Sequence, residues 1–274
     1  MALLLEERQA GSAARVHVLE MDITKRETVD SASYQARKQM EGGKLYGLVN
    51  NAGVAKGDSQ KVVGVNLTGT RNVCEAFADL LAPGARVVNV SSGSAAMFVA
   101  KCAPQRKAFF TNPNITLHEL ETAVALFCSA VDAADLHLAS GGDCGAALQR
   151  LGFPTPSEAA AGGGLAYGFS KACVNSYTLL CAAGNGPLAP APAVYVNSLS
   201  PGFIATDLTR DMTEGKGVTP EEMGALPPYE GTHAIFKLLF SPTSTSGRYY
   251  GSDGLRSPLD KYRQPGTAEY SEAA

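Results

Sequence analysis

The sequence predicts an α/β domain with a doubly wound, parallel sheet. Three apolar segments, 45–50, 86–90 and 194–199, have the character of strands buried on both faces of such a sheet. Helical patterns separate them, and strands that alternate with helices favour parallel pairing beneath two layers of helices. A chain of 274 residues can bury one sizeable core, so residues 1–274 are interpreted as a single domain.

The first 80 residues are predicted to add one strand and two helices to this pattern. The additional strand covers residues 15–20. Residues 24–27 (Thr-Lys-Arg-Glu) have the spacing of a capping box, which should start a helix. Asp58 or Ser59 can cap a longer helix, whose apolar residues continue at helical spacing to Leu80.

Residues 93–164 are predicted to be an insertion that follows the strand at 86–90. Within it, residues 116–119 form another capping box, and 117–138 is predicted as a helix. Glycines at 162–164 mark a flexible turn ahead of the next helix. Three further segments are predicted after the strand at 194–199. They are a variable loop over 207–229, a helix over 230–240 and a strand over 248–251.

Tyr167 and Lys171 lie four residues apart in a predicted helix, so their side chains leave the same face. A phenol has an ordinary pKa of about 10, and an ammonium one turn away favours the phenolate and lowers that pKa. The pair therefore suits a general acid that protonates a carbonyl oxygen. The same spacing also fits a half-buried Tyr beside a Lys whose stem packs along the helix.

Polar side chains follow each of the three predicted strands at 45–50, 86–90 and 194–199. They are Asn50, the pair Ser91 and Ser92, and Ser200. Open α/β sheets build their sites at the carboxyl ends of the strands, so these residues are expected to meet at one edge. Gly53 ends the first of these turns and allows the backbone to approach a ligand closely.

Together these segments resemble the short-chain dehydrogenase/reductase family. The matching pieces are Asn50-Asn51-Ala52-Gly53, Val65 to Gly69, Val88 to Ser92, Tyr167 with Lys171, and Pro201-Gly202 with Thr206. Residues 66–73, residues 86–92 and the long insertion are most similar to the monomeric carbonyl reductases of that family. The resemblance implies a Rossmann-like fold and reduction of aldehydes and ketones by hydride transfer from NADPH.

The resemblance also implies four catalytic residues. Tyr167 would donate the proton, Lys171 would lower the pKa of Tyr167 and bind the nicotinamide ribose, and Ser92, rather than Ser91, would hold the substrate oxygen. Asn66 would bend its helix and hold a water that leads to the lysine, although a solvent-facing Asn is the simpler alternative.

Cofactor-binding residues follow from the same resemblance. Besides Tyr167 and Lys171, they are Asp22 near the adenine, Asn50, Ala52 and Gly53 along the ribose and nicotinamide, and Pro201, Gly202, Ile204 and Thr206 at the carboxamide. Each also has an ordinary structural explanation as a helix cap, a strand end or a turn.

The family normally opens with a strand, a glycine-rich turn and a helix that hold the pyrophosphate of the cofactor. No segment ahead of Gly53 matches that motif, so the domain is interpreted as truncated at its N-terminus, without the first two strands. Because these strands lie in the middle of the sheet order 3-2-1-4-5-6, their loss would leave the segments 15–20 and 45–50 with unpaired edges. Weak NADPH binding is expected, and a non-catalytic binding or scaffold protein is the alternative function. An epimerase is disfavoured by residues 50–53 and by the short C-terminal region.

Composition narrows the remaining classes of function. A net charge of −3 argues against a nucleic-acid partner, and the four histidines lack metal-ligand spacing. Six cysteines without a C-x-x-C motif favour reduced thiols in a cytoplasmic protein. No apolar run reaches transmembrane length, and the apolar start is too short for a signal peptide. The insertion should cover the surface through which most relatives pair, so a monomer is expected.

Overall fold

A five-stranded sheet organises the fold. In the computed structural model the described residues are 16–138, 145–188, 194–213, 217–242 and 245–271. The strands are β1 (Leu45–Asn50), β2 (Leu81–Val90), β3 (Tyr195–Leu199), β4 (Tyr249–Tyr250) and β5 (Arg256–Ser257). They lie in the order β1-β2-β3-β4-β5, parallel from β1 to β4, and β5 pairs antiparallel with β4. The predicted parallel, Rossmann-like sheet is confirmed, and β5 was not predicted.

Helices cover both faces of this sheet. They are α1 (Arg26–Gln39), α2 (Ser59–Val63), α3 (Thr70–Phe77), α4 (Gly93–Lys101), α5 (Pro104–Phe110), α6 (Leu117–Leu138), α7 (Gly145–Arg150), α8 (Pro156–Ala159), α9 (Leu165–Ala182), α10 (Asp207–Thr213) and α11 (His233–Phe240). Val87 and Val196 face the core that contains α4 and α9, whereas Val88 and Val90 pack with Ala234 of α11. The strand side chains alternate between the two layers, as the doubly wound prediction requires.

The insertion wraps the helix α9. Phe98, Phe110, Phe127 and Phe153 from the insertion surround Phe169 of α9. The rings of Phe127 and Phe169 are stacked, with centroids 3.7 Å apart. Burying each ring is worth about 1.5–3 kcal/mol, so this cluster fixes α9 firmly against the insertion. Together with packing on β3 and α2, this leaves every residue of α9 from 167 to 181 buried.

Helix positions agree closely with the pattern of the sequence. Thr116 and Glu119 form the predicted capping box at the start of α6. The side chain of Asp58 accepts a hydrogen bond from the backbone N–H of Lys61 and caps α2, as predicted. The long helix expected after it is interrupted by a π-helical turn, Gly64–Gly69, which joins α2 to α3. The variable loop expected over 207–229 contains the short helix α10.

Two predictions for the N-terminal part are wrong. Residues 16–20 are not a strand, and Val16 and Val18 are exposed, because no described strand lies beside them to accept their hydrogen bonds. Arg15 lies outside the described residues. Residues 24–27 do not form a capping box, because the hydroxyl of Thr24 donates to the carboxylate of Asp22, and α1 begins at Arg26 with no side-chain cap.

The outer edge of β1 has no partner strand among the described residues. Beside this edge, Tyr46, Phe240 and Phe236 stack on one another and remain more than half exposed.

Candidate active site

The carboxyl ends of β1, β2 and β3 meet beside the N-terminal half of α9. Polar groups from all four elements converge there, which is where an open α/β sheet places its site. Ser200 Oγ, at the end of β3, accepts hydrogen bonds from the backbone N–H groups of Gly93 at 3.1 Å and Gly202 at 3.4 Å. These bonds hold the turn after β3 against the start of α4.

Tyr167 and Ser92 form the centre of this arrangement. The hydroxyl of Ser92 lies close enough to the phenol to lower its pKa, donates to Ser94 Oγ at 3.1 Å, and caps α4 by accepting from the backbone N–H of Ser94. Ser91 is occupied elsewhere, because its hydroxyl donates to the backbone carbonyl of Lys171 at 3.0 Å. Of the two serines, Ser92 is therefore the one whose hydroxyl meets the phenol.

Burial controls the protonation of Tyr167. It raises the pKa of the phenol above its ordinary value, and the hydrogen bond with Ser92 opposes this only in part. The expected lowering of this pKa by Lys171 is not present in this arrangement. The phenol therefore keeps its proton at neutral pH.

Lys171 is buried at the bottom of the site. Its Nζ donates to the backbone carbonyl of Val90 at 2.8 Å and lies 5.8 Å from the centroid of the Tyr167 ring. Burial lowers the pKa of this lysine to about 8, because the charged form loses its hydration. An ammonium has three N–H donors, so two remain beyond the bond to Val90.

Asn66 connects the turn after β1 to α9. Its side chain lies in the π-helical turn, exchanges two hydrogen bonds of 2.9 Å with the backbone of Val54, and donates to Ser170 Oγ at 2.9 Å. The interruption of the helix at Asn66 fits the predicted bend, and the side chain is buried rather than facing solvent. The amide therefore holds the turn after β1 against α9.

Gly53 lies directly against the side chain of Asn66. A Cβ placed there would be 3.1 Å from Asn66 Oδ1 and 3.3 Å from Lys171 Nζ, which is tighter than ordinary packing. A larger residue at this position would require Asn66 or Lys171 to shift by a few tenths of an ångström.

The other predicted cofactor-binding residues differ in their burial. The side chain of Asn50 is buried and donates to Asn89 Oδ1 at 2.8 Å, so its amide faces the interior. Ala52 is exposed. Asp22 is also exposed, and its carboxylate accepts from both the backbone N–H and the hydroxyl of Thr24, which is the cap-like alternative.

The turn after β3 carries the remaining four residues. Pro201 and Thr206 are half-buried, and Gly202 is exposed with a φ of +96°, a conformation that favours glycine. Ile204 is buried and pairs with Leu226 as an isolated bridge. Thr206 precedes α10, and its hydroxyl faces the carbonyl of Ile204 at 3.5 Å.

A family model described as "short chain dehydrogenase" matches residues 2–104. Human carbonyl reductase [NADPH] 1 is 28% identical over 244 residues, which cover 82% of this chain and 78% of the relative. Rat carbonyl reductase [NADPH] 3 is 27% identical over 231 residues, covering 80% of this chain and 74% of the relative. The chain is similar to short-chain dehydrogenases over residues 2–104 and to the carbonyl reductases over most of its length.

Solved structures share the same fold. Salutaridine reductase from Papaver somniferum superposes with a TM-score of 0.60 at 21% identity, covering 84% of this chain and 80% of that chain. An NADPH-bound carbonyl reductase from chicken fatty liver gives a TM-score of 0.52 at 18% identity, covering 87% of this chain and 75% of that chain. The family model and the curated relatives support an oxidoreductase enzyme.

Some groups at the site were not predicted. The carbonyl of Val90 lies within the matched segment 88–92 but was given no role, and the hydroxyl of Ser94 belongs to a position that carries no motif. Tyr262 comes from the C-terminal tail, and its ring packs so close to Gly93 that a Cβ there would be 2.8 Å away. A tail residue far from the Tyr-Lys pair gives no local signal, so only the fold brings Tyr262 to the site.

No helix in the ranges given above has the length and apolar character needed to cross a membrane. The same part of the chain contains no group of three or more His, Cys, Asp or Glu side chains that could hold a metal ion.

Proposed function

We propose that the protein is a short-chain dehydrogenase that reduces aldehydes or ketones with NADPH, with Tyr167 as the proton donor. The observation that carries the proposal is that the hydroxyl of Ser92 acts on the phenol of Tyr167 beside the buried Lys171. The names of the curated relatives, carbonyl reductases that use NADPH, support the same substrate class and cofactor.

Reduction of a carbonyl, the proposed direction of the reaction, agrees with the protonated state of the Tyr167 phenol. A reductase needs a protonated acid when the carbonyl oxygen gains negative charge, and the raised pKa keeps Tyr167 protonated at neutral pH. Ser92 is placed to donate to the same oxygen, so the two hydroxyls hold the carbonyl between them. Asn66 and Ser170 act indirectly by fixing the turn of α9 on which Tyr167 lies.

The residues present fit the nicotinamide half of the cofactor. NADPH, when bound, supplies the hydride. The two N–H groups of Lys171 that are not given to Val90 are suited to the ribose hydroxyls, and Gly53 keeps the neighbouring backbone close. Pro201, Gly202 and Thr206 would border the carboxamide.

A monomer is proposed on the burial of α9. The insertion covers this helix from 167 to 181, so it presents no free face for pairing. A non-catalytic scaffold, the alternative, gives no reason for a charged lysine in a buried position, which is costly unless it is used.

The decisive experiment compares Tyr167→Phe with Tyr34→Phe, a matched change at an exposed position of α1. Loss of the proton donor should lower kcat by about 10²–10⁴-fold and leave the NADPH affinity measured by calorimetry nearly unchanged. Tyr34→Phe should leave kcat as in the parent. Carbonyl reduction by Tyr167→Phe at close to the parent rate would reject Tyr167 as the proton donor.

A further inference from the structure

The C-terminal tail, residues 258–271, reaches the start of α4. The ring of Tyr262 lies against Gly93, so that a Cβ placed on Gly93 would be 2.8 Å from Cε2 and 3.3 Å from Cδ2 of the ring. Gly93 directly follows Ser92, the serine of the proposed site. The tail therefore contacts the chain one residue away from Ser92.

Gly93 is held by two neighbours. Its backbone N–H donates to Ser200 Oγ at 3.1 Å, and the ring of Tyr262 covers the side on which a side chain would project. Ser200 Oγ is 3.9 Å from the same Cβ position, so the serine and the ring enclose the glycine together.

The contacts at Gly93 determine the direction of Ser92. The N–H of Gly93 and the carbonyl of Ser92 belong to one planar peptide unit, so fixing Gly93 limits rotation of the backbone at Ser92. Ser92 is the N-cap residue of α4, with extended backbone, and its Oγ accepts from the backbone N–H of Ser94 at 3.2 Å. A shift at the start of α4 would therefore turn Ser92 Oγ away from the Tyr167 phenol.

Arg263, the next residue to Tyr262, fixes the tail. Its side chain is only 6% exposed, and its guanidinium pairs with the carboxylate of Asp253. The other acceptors of its N–H groups are Ser257 Oγ at 2.9 Å and the carbonyls of Leu255 at 3.4 Å, Gln264 at 3.3 Å and Thr267 at 2.9 Å. Asp253 in turn accepts from the backbone N–H of Gly266 at 2.9 Å. The N–H donors of this arginine thus tie the tail to the β4–β5 hairpin on both sides of Tyr262.

Stability alone does not account for this arrangement. Tyr262 is 40% exposed, so its ring buries less apolar surface than a core aromatic does. A buried ion pair such as that of Arg263 with Asp253 contributes little net stability, because the lost hydration of the charges offsets their attraction. The definite result of the network is a single position for the ring of Tyr262 on Gly93.

We infer that Tyr262 is a positioning residue, which holds the start of α4 so that Ser92 keeps its direction toward the Tyr167 phenol. Arg263 acts one step further away, by fixing Tyr262. The inference rests on the proposed function for the role of Ser92, but the hold on Gly93 can be measured without turnover.

The first test measures amide hydrogen exchange at Gly93 by NMR. Tyr262→Ala should raise the exchange rate of the Gly93 N–H by about 10-fold or more, because its bond to Ser200 opens more easily. Tyr262→Phe keeps the ring atoms that contact Gly93 and should exchange as the parent does.

The matched control for this test is Tyr270→Ala. It removes a tail tyrosine that lies on Arg256 instead, and should leave the exchange of Gly93 unchanged. Equal exchange rates in Tyr262→Ala and Tyr270→Ala would overturn the inference.

Arg263→Lys tests the outer step. A lysine keeps the positive charge but not the fork of N–H donors, so Gly93 should again exchange faster than in the parent. Exchange at the parent rate would overturn the role given to Arg263.

The second test asks whether Tyr262 acts through Ser92. With butanal and NADPH, Tyr262→Ala should lower kcat by about 10–10²-fold and leave the NADPH affinity nearly unchanged, because a misplaced donor stabilises the transition state less. In a Ser92→Ala background the same change should lower kcat by no more than about 2-fold, because the group that Tyr262 positions is already absent. Tyr262→Phe should restore the parent kcat.

The outcomes separate this inference from the proposed function. An equal fall of kcat in both backgrounds would show that Tyr262 acts on the substrate or on the fold without Ser92. That result would overturn the inference and leave the carbonyl reductase function standing. If the parent protein does not reduce butanal, the proposed function fails for this substrate, and the exchange of Gly93 still decides whether Tyr262 holds the start of α4.

Discussion

Removing the charge of Lys171 should change how stability depends on pH. Burial lowers the pKa of this lysine from its ordinary value of 10.5 to about 8. Each tenfold change in proton affinity is worth about 1.36 kcal/mol, so protonating the amine costs about 3 kcal/mol more in the folded chain than in the unfolded chain.

The direction of the pH effect follows from which state holds the proton. Between pH 8 and 10.5 the unfolded chain binds the proton at Lys171 and the folded chain does not. The contribution of Lys171 to the free energy of unfolding therefore rises with pH across this range, by about 2 kcal/mol between pH 7 and 9.5. Below pH 8 both states are protonated, and the contribution becomes constant at its least favourable value.

Lys171→Met removes this contribution and preserves most of the apolar stem. Urea denaturation of the parent and the variant at several values between pH 7 and 9.5 gives two curves whose difference isolates Lys171, because the other titrating groups are shared. The free energy of unfolding of the parent should gain about 2 kcal/mol on that of the variant as the pH rises.

The absolute difference at pH 7 is smaller than the full charging cost. The variant also loses the hydrogen bond from Lys171 to Val90, worth about 1 kcal/mol, and leaves the Val90 carbonyl with one fewer donor. For this reason the slope with pH, rather than the value at one pH, is the diagnostic quantity. A difference that stays constant within about 0.5 kcal/mol from pH 7 to 9.5 would refute a lowered pKa for Lys171.

Further predictions concern the activity, the packing and the assembly of the protein. Carbonyl reduction should decline as the pH rises through about 8, where Lys171 loses its proton; a rate that is flat to pH 9.5 would contradict the proposed use of the ammonium. Gly53→Ala should lower the free energy of unfolding by about 1–3 kcal/mol in urea, because its Cβ would press on Asn66 and Lys171. Phe169→Ala should cost about 3–5 kcal/mol, since the stacked ring of Phe127 would face a void, and a change below 1 kcal/mol would argue against that packing. Sedimentation at micromolar concentration should show a monomer, and a stable dimer would contradict the covered state of α9.

The sequence predicts well where one local signal fixes the structure. The apolar runs locate β1, β2 and β3, and the Thr116 to Glu119 capping box locates the start of α6. The Tyr-Lys spacing locates the face of α9 that carries Tyr167 and Lys171. In each case a pattern in residues close in the chain identifies the element, even though the strands pair with distant segments.

Sequence reasoning fails where distant residues decide. A strand at 16–20 requires a neighbouring strand, which its own Val pattern cannot supply. The short pair β4–β5 and the tail after it depend on Arg263, which pairs with Asp253 and donates to Ser257. The position of Tyr262, the next residue to Arg263, is therefore set by this network. The raised pKa of Tyr167 likewise results from burial and not from its lysine neighbour.

The enclosure of α9 ties catalysis to folding. In an enzyme whose catalytic helix lies on the surface, the helix can shift or fray without disturbing the core. Here the turn that carries Tyr167 is continuous with the ring stack of Phe169, so any displacement of the phenol must also deform the interior. The proposed catalytic geometry and the thermal resistance should consequently be lost together, and substitutions that improve one without the other are expected only outside this helix.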